Sequence, residues 1–169
     1  MQLLTVRGGV PDDFAAIWAI NAEGQPGVSP FASTELAGLL ADPGHVWVAT
    51  PEDPDLATVV GYCVTYTSSE EYDGEEFAWF KSKYPSFLYI DQIAVAASYL
   101  RAGVGTLLYT AIEQTAHAEG IPALVCEVNV VPPNPTSLAF HTRIGFAEVG
   151  RLDTGDARSV ALLLKALDV

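Results

Sequence analysis

The segment at residues 91–116 contains a pattern that could bind a phosphate group. An apolar stretch leads into a turn with Gly103 and Gly105, and a helix-like stretch follows from Val104. Such a turn points backbone N–H groups at whatever lies above it, and a helix N-terminus adds a partial charge of about +0.5. Because both features favour an anion, the pattern predicts a phosphate or pyrophosphate site.

A second segment, at residues 134–146, carries a candidate proton donor. Asn134 can cap a helix that has Pro135 in its first position. Ser137 and His141 are four residues apart, so they share one face of this helix. An unperturbed histidine has a pKa of about 6.5, so His141 could donate a proton near neutral pH if neighbouring acids raise its pKa.

Two carboxylates, Asp91 and Glu127, are the candidates for a general base. Asp91 lies on the apolar strand that leads into the glycine turn, and Glu127 lies on the next predicted strand. If the two strands part at this point, either carboxylate could take a proton from a nucleophile, directly or through water. The alternative is that each is a structural carboxylate held by backbone N–H donors.

The elements that would position these residues form the order β-α-α-β-β-β-α-β-α-β-β. An acidic insert at residues 68–86 contains a further short amphipathic helix, and this order predicts a mixed α/β sheet with helices on its faces. A strand–helix–strand connection is right-handed by default, so the fourth and fifth strands should run parallel. Strands are predicted at residues 3–6, 45–50, 57–67, 87–95, 123–128, 146–151 and 159–166, and a turn at residues 51–56.

Length and composition indicate one globular domain at residues 1–169, since half of the residues are hydrophobic. No apolar run approaches the ~18 residues of a membrane span, and the first residues do not resemble a signal peptide. A cytoplasmic protein that does not bind membranes is therefore expected. The formal net charge of −13 excludes nucleic acid as a partner. Cys63 and Cys126 are predicted to be buried thiols, and no metal-binding pattern is present.

Taken together, the glycine turn, the second motif and the order of elements resemble the GNAT-type N-acetyltransferases. In that family the turn usually reads Gln/Arg-x-x-Gly-x-Gly/Ala, and the second motif usually reads Asn-x-x-Ala-x-x-x-Tyr-x-x-x-Gly-Phe. Here Leu100 replaces the usual Gln or Arg, and His141 stands where many members have Tyr. The runs at residues 132–135 and 140–141 are similar to an uncharacterised bacterial branch of the family.

The resemblance implies a single GNAT fold, with a mostly antiparallel central sheet in which strands 4 and 5 are parallel and splayed. It also implies acetyl-CoA as co-substrate, no metal, and a role for His141 in protonating the departing thiolate. Arg101, one position after Leu100, could reach a phosphate. The residues implied to bind the cofactor are Ile93, Ala94, Val95, Leu100, Arg101, Ala102, Gly103, Val104, Gly105, Thr106, Asn134, Ser137, Phe140 and His141.

The implied function is transfer of an acetyl group to the primary amine of a small molecule or peptide, by direct attack in a ternary complex. The acceptor pocket would be bordered by residues 21–31, 72–87 and 153–158. One alternative is a non-catalytic acyl-CoA-binding or regulatory module, and another is a nucleotide-phosphate binder. The sequence is compatible with a homodimer.

Overall fold

The computed structural model describes residues 3–53, 55 and 58–168. Its strands are Leu4–Gly8 (β1), Val46–Pro51 (β2), Gly61–Thr67 (β3), Leu88–Val95 (β4), Ala123–Val131 (β5), Ala147–Asp153 (β6) and Ser159–Ala166 (β7). Its α-helices are Phe14–Gly24 (α1), Ser33–Ala41 (α2), Glu75–Lys83 (α3), Val104–Ala118 (α4) and Pro135–Arg143 (α5). The short helix predicted inside the acidic insert is therefore confirmed as α3.

The strands form one mixed sheet in the order β1-β2-β3-β4-β5-β7-β6. β4 and β5 are parallel, with Leu88 opposite Leu124 and Tyr89 opposite Val125. This confirms the parallel pair that the helical crossover through α4 predicts. The pairs β1–β2, β2–β3, β5–β7 and β6–β7 are antiparallel. The mixed α/β fold class is thus confirmed, whereas the splaying of β4 and β5 stays a prediction.

The start of the third strand differs from the prediction. The predicted strand began at Ala57, which lies outside the described residues, as do Pro54 and Leu56 of the predicted turn. β3 itself begins at Gly61. Val59 and Val60, just before it, are nevertheless buried. The Val60 N–H donates to Ala49 O at 2.9 Å, and the Val60 carbonyl accepts the N–H of Ala96 at 2.9 Å.

One compact unit comprises the described residues of Met1–Thr65 and Gln92–Ile112. Its core includes the fully buried Ile17, Leu36, Val48 and Leu108. Ile17, Leu36 and Leu108 come from α1, α2 and α4, each of which buries one face, and Val48 comes from β2.

A second compact unit comprises Tyr66–Asp91 and the described residues of Glu113–Val169. Its core is rich in aromatic residues, and the rings of Phe77, Phe87 and Tyr89 meet edge to face at centroid distances of 5.5 Å. This geometry is favoured by the ring quadrupoles. The single domain predicted for residues 1–169 stays a prediction.

Both cysteines, Cys63 and Cys126, are buried thiols, as predicted. Within the described residues, no helix has the length and apolar character that a membrane crossing requires.

Candidate active site

The turn between β4 and α4 has the backbone geometry of an anion cradle. After β4 the chain makes a short 3₁₀ turn at Ala97–Tyr99, and Arg101 and Gly103 then adopt positive φ angles of 63° and 83°. The Leu107 N–H donates to Gly103 O at 3.0 Å and so closes the first helical turn. The N–H groups before Leu107 have no partner inside the helix, as in any first turn. The cradle therefore presents backbone donors at the positive end of α4.

Close packing fixes the position of this turn. Any side chain at Gly61 would place its Cβ 2.7 Å from a Val104 methyl group and 3.2 Å from the Ala94 carbonyl oxygen. Val104 is fully buried, so the start of α4 rests directly on the backbone of β3. The Ala97 N–H also donates to a carboxylate oxygen of Glu23, on α1, at 2.9 Å.

Several side chains of the cradle are exposed to solvent. Leu100 is 62% exposed, and Arg101 and Thr106 are exposed as well. Arg101 is held in the left-handed region, which costs a residue other than glycine about 1–2 kcal/mol. On β4, Ile93 and Val95 are half-buried, whereas Ala94 is buried. Because the predicted role of Ile93–Val95 uses backbone groups, this side-chain burial does not test it.

The second motif forms the capped helix that the sequence predicts. Asn134 is the N-cap of α5, and its Oδ1 accepts the N–H of Ser137 at 3.2 Å. Pro135 occupies the first helical position. The Phe146 N–H donates to His141 O at 3.0 Å just beyond the helix end.

His141 is buried and sits between aromatic rings. Its ring meets those of Phe140 and Phe146 nearly at right angles, with centroid distances of 5.2 and 5.3 Å. Its Nδ1 lies 2.8 Å from the Ser137 carbonyl oxygen. A carbonyl oxygen can only accept, so Nδ1 carries the proton and Nε2 of the neutral ring has the lone pair. Burial lowers the pKa of His141, although the bond to Ser137 opposes this effect. The condition for proton donation near neutral pH, a pKa raised by neighbouring acids, is therefore not met.

Asp91 and Glu127 lie in a group of ionisable side chains that we call the carboxylate cluster. The Tyr72 hydroxyl donates to Asp91 Oδ1 at 2.6 Å, and the Tyr89 hydroxyl donates to Glu127 Oε1 at 3.0 Å. The centroids of the two tyrosine rings are 5.7 Å apart. The cluster consists of Tyr72, Glu76, Tyr89, Asp91, Glu127 and Arg158, all in the second unit.

Arg158 provides positive charge in the carboxylate cluster. Its guanidinium donates to Asn129 Oδ1 at 3.1 Å and to Glu76 Oε1 at 3.4 Å. It also pairs with Asp156 at 2.7 Å. Because Glu76 is on α3 and Arg158 precedes β7, these contacts hold the inserted helix against the turn between β6 and β7. The same turn is also bonded to α3 through the Gly155 N–H, which donates to Glu75 Oε2 at 3.0 Å.

The surroundings of Glu127 disfavour its charged form. Its residue surface is only partly buried, but Oε2 is sealed from solvent and has no hydrogen-bond partner among the described residues. Burial raises the pKa of Glu127 well above its ordinary value, and the negative charges of Glu76 and Asp91 raise it further. Tyr89 and Arg158 lower the pKa but do not cancel the rise. An ionised carboxylate with a sealed, unpartnered oxygen is costly, so burial favours the protonated form of Glu127.

The sequence model of the acetyltransferase (GNAT) family matches residues 14–146. The chain belongs to this family. Among curated proteins, no sequence matches this chain.

Solved structures support the same GNAT fold. Ard1 from Thermoplasma volcanium superposes with a TM-score of 0.77 at 18% identity, covering 98% of this chain and 99% of that protein. Arabidopsis thaliana NAA60 in complex with acetyl-CoA gives a TM-score of 0.76 at 15% identity, covering 98% and 100%. Chaetomium thermophilum Naa20 in complex with a bisubstrate analogue gives 0.75 at 20% identity, covering 96% and 86%. At these identities the likeness establishes the fold.

In this GNAT chain, the structure brings the two candidate bases into one cluster and places Asn134, Ser137 and His141 on one capped helix. The roles of these residues, and of Ile93–Val95 and residues 100–106, stay predictions, as does the bacterial branch. Sequence reasoning missed Tyr72, Glu76, Tyr89 and Arg158 as members of the cluster. Of these, only Tyr89 had a local signal, because it precedes Asp91 by two residues on a strand and therefore faces the same side.

Proposed function

We propose that this GNAT chain transfers an acetyl group from acetyl-CoA to a primary amine by direct attack in a ternary complex. The observation that carries the proposal is the cradle between β4 and α4, where positive φ angles at Arg101 and Gly103 precede a helix start whose first N–H groups have no partner inside the helix. NAA60 was solved with acetyl-CoA and Naa20 with a bisubstrate analogue, and both resemble this chain over nearly its whole length.

In this proposal, residues 100–106 hold the pyrophosphate mainly through their backbone. The net charge of −13 repels an anionic cofactor, so local donors must provide the attraction. Leu100 supplies no side-chain donor, whereas the exposed Arg101 can add one. The backbone of Ile93–Val95 binds the pantetheine arm and the thioester carbonyl, where fixed donors stabilise developing negative charge.

Asp91 is the group that we propose takes the proton of the attacking amine, directly or through water. The amine nitrogen bonds to the acetyl carbon, the carbon–sulfur bond breaks, and one proton leaves the nitrogen. Glu127 is less suited to this role, because burial favours its protonated form and its Oε2 is sealed. Two carboxylates whose surroundings differ in this way can take different roles in proton transfer.

The thiolate of CoA must take up a proton, and two observations favour water over His141 as its source. The lowered pKa leaves His141 mostly neutral near pH 7. The neutral ring keeps its proton on Nδ1, which donates to Ser137 O. In this proposal Asn134, Ser137, Phe140 and His141 shape the cofactor side of α5 through packing. Acid catalysis by His141 is the alternative.

The proposal is tested by measuring release of the CoA thiol from acetyl-CoA with a panel of amines. The panel contains polyamines, amino acids, aminoglycosides and peptides with free N-termini. We expect amine-dependent thiol release and one acetylated product. Tight binding of acetyl-CoA without turnover on any amine would favour the non-catalytic module. Stronger thermal protection by ATP than by CoA would favour a nucleotide-phosphate binder.

A pair of glycine variants tests the cradle itself. Gly103 and Gly44 both have positive φ angles, 83° and 112°, and both have open space where a Cβ would lie. Gly103→Ala and Gly44→Ala should therefore impose similar backbone strain, about 1 kcal/mol. Only Gly103→Ala should weaken acetyl-CoA binding in calorimetry. Equal affinities for the two variants would contradict the proposed cofactor site.

A further inference from the structure

We propose that Gln92 is a positioning residue that fixes the loop between α1 and α2 against β4, and thereby places the acceptor relative to the thioester. This inference rests on the proposed function, because it concerns the acceptor side of the same reaction. The loop comprises residues 25–32.

The loop is attached through a buried group of polar residues that we call the amide network. Gln92 Nε2 and Asn21 Nδ2 both donate to the backbone carbonyl of Ser29, at 3.0 and 2.9 Å. Gln92 Oε1 accepts the hydroxyl of Tyr62 at 2.8 Å and also lies 3.1 Å from Asn21 Nδ2. The network consists of Asn21 on α1, Tyr62 on β3, Gln92 on β4 and the Ser29 carbonyl.

The Ser29 carbonyl fixes the orientation of both amides. A carbonyl oxygen can only accept, so the side-chain nitrogen of Gln92 and that of Asn21 must face it. Asn21 Oδ1 then faces the loop backbone and lies 3.4 Å from the N–H of Phe31. The loop backbone is thus held at the Ser29 carbonyl and at the Phe31 N–H.

The burial pattern separates the backbone of the loop from its side chains. Asn21, Tyr62 and Gln92 are 3%, 0% and 8% exposed, yet the side chain of Ser29 is exposed. Near the end of the loop, Phe31 is buried and packs on the ring of Tyr62 with a centroid distance of 5.9 Å. The buried polar side chains therefore hold the backbone of a solvent-facing loop in one conformation.

The position of Gln92 on β4 connects this loop to the proposed thioester site. Side chains alternate along a strand, so Gln92 faces the loop while Ile93 faces the opposite side. A second link joins the same parts, because the Ala97 N–H donates to Glu23 at the end of α1. Loss of the Gln92 link should loosen the loop without changing the cradle, since the Glu23–Ala97 bond remains.

The test compares Gln92→Met with Thr65→Val. Methionine has a similar length but no donor for Ser29. Thr65 is a buried control in the same unit; its hydroxyl accepts a bond from the Trp47 indole at 3.1 Å, and its N–H donates to His45 O at 2.9 Å. Gln92→Leu serves as a second variant if Gln92→Met does not fold.

We expect Gln92→Met to speed hydrogen exchange of the amides in residues 25–32 by about tenfold or more. With the best amine found, KM for the acceptor should rise about tenfold while the Kd for acetyl-CoA stays within about twofold. Thr65→Val should change the loop exchange rate, KM and the acetyl-CoA Kd by no more than about twofold. Unchanged loop exchange in Gln92→Met, or an equal rise in KM and in the acetyl-CoA Kd, would overturn the inference.

These readouts distinguish failure of the inference from failure of the proposed function. If the wild-type protein acetylates no amine, the proposed function fails, while hydrogen exchange and acetyl-CoA binding still decide whether Gln92 holds the loop. If the wild-type protein is active and loop exchange is unchanged, only the inference fails.

Discussion

The amide network and the carboxylate cluster are both buried polar groups, but they differ in charge and in hydrogen bonding. In the amide network, two neutral side-chain amides donate to the Ser29 carbonyl, and the Tyr62 hydroxyl donates to one of these amides, that of Gln92. In the carboxylate cluster, Glu76, Asp91 and Glu127 lie near Arg158, and Glu127 Oε2 has no partner among the residues described. The first arrangement is suited to holding geometry and the second to moving protons.

Two consecutive residues of β4 show this difference most directly. Gln92 belongs to the amide network and Asp91 to the carboxylate cluster. A satisfied neutral network should respond little to pH, because none of its side chains titrates near neutrality. A buried group of like charges should respond strongly, because burial and repulsion both shift pKa values.

The largest expected effect is on the proposed base. Asp91→Asn keeps an acceptor for the Tyr72 hydroxyl but removes the basic carboxylate. We expect kcat to fall by about 10²–10⁴-fold, the usual contribution of a general base, with unchanged acetyl-CoA affinity. Steady-state kinetics and calorimetry measure the two quantities. If Asp91→Asn retains kcat within about threefold, Asp91 is not the base and Glu127 or a water chain takes its place.

The next effect concerns Glu127 and the pH dependence of stability. Its folded pKa is raised above the ordinary 4.5, so its contribution to stability is present below about pH 4.5 and is lost as pH rises through the folded pKa. One such group changes the free energy of unfolding by at most about 1.4 kcal/mol per pH unit. Glu127→Gln should remove this slope. Urea unfolding across pH measures it.

The comparison for Glu127→Gln is Gln92→Met, which should lower stability by the same amount at every pH. Wild type and Glu127→Gln should differ little at low pH, and the variant should gain relative stability as pH rises. If the free energies of unfolding of wild type and Glu127→Gln ran parallel across pH, Glu127 would not be protonated in the folded state.

A smaller effect is expected for the arginine of the carboxylate cluster. Arg158→Gln should lower the free energy of unfolding by about 1 kcal/mol, because the guanidinium is partly exposed and its pairs with Glu76 and Asp156 are screened. It should also raise the pKa of Glu127 further, since Arg158 lowers it. Chemical denaturation measures the first change, and the pH profile of stability measures the second.

The matched control is Arg151→Gln, which removes a surface pair with Glu148. It should leave both the stability and its pH profile as in wild type. Equal behaviour of the two arginine variants would show that Arg158 does not act on the carboxylate cluster.

The smallest expected effect is that of replacing His141 on the pH dependence of kcat. His141→Phe keeps an aromatic ring between Phe140 and Phe146 but loses the bond to Ser137. We expect the ratio of its kcat to that of wild type to stay constant between about pH 6 and 9, because a neutral His141 donates no proton to the thiolate. A ratio that falls toward low pH, where wild-type His141 becomes charged, would restore the acid hypothesis.

Much of the fold could be predicted because its signals are local. The Asn134 cap, the helix after Gly103 and the parallel β4–β5 pair depend on short motifs and on the order of elements. The start of β3 was missed because apolar residues such as Val60 are buried before the strand ladder begins.

The candidate site was harder to predict than the fold. Asp91 and Glu127 could be proposed from their strands, but Tyr72, Glu76 and Arg158 come from a loop, a helix and a distant turn. Their contacts with one another are long-range, and no spacing in the sequence encodes them. The lowered pKa of His141 could not be predicted from the sequence for a related reason, because burial depends on the packed structure.

The sequence by itself determined the order of strands and helices, the glycine turn before α4 and the capped helix α5, because each depends on neighbouring residues. Only the tertiary structure decided which polar residues are buried together. It assigned Asp91 to a group of charges and Gln92 to a group of neutral hydrogen bonds. The physical reason is that desolvation and charge interactions depend on what surrounds a side chain in space, and these surroundings come from distant parts of the chain.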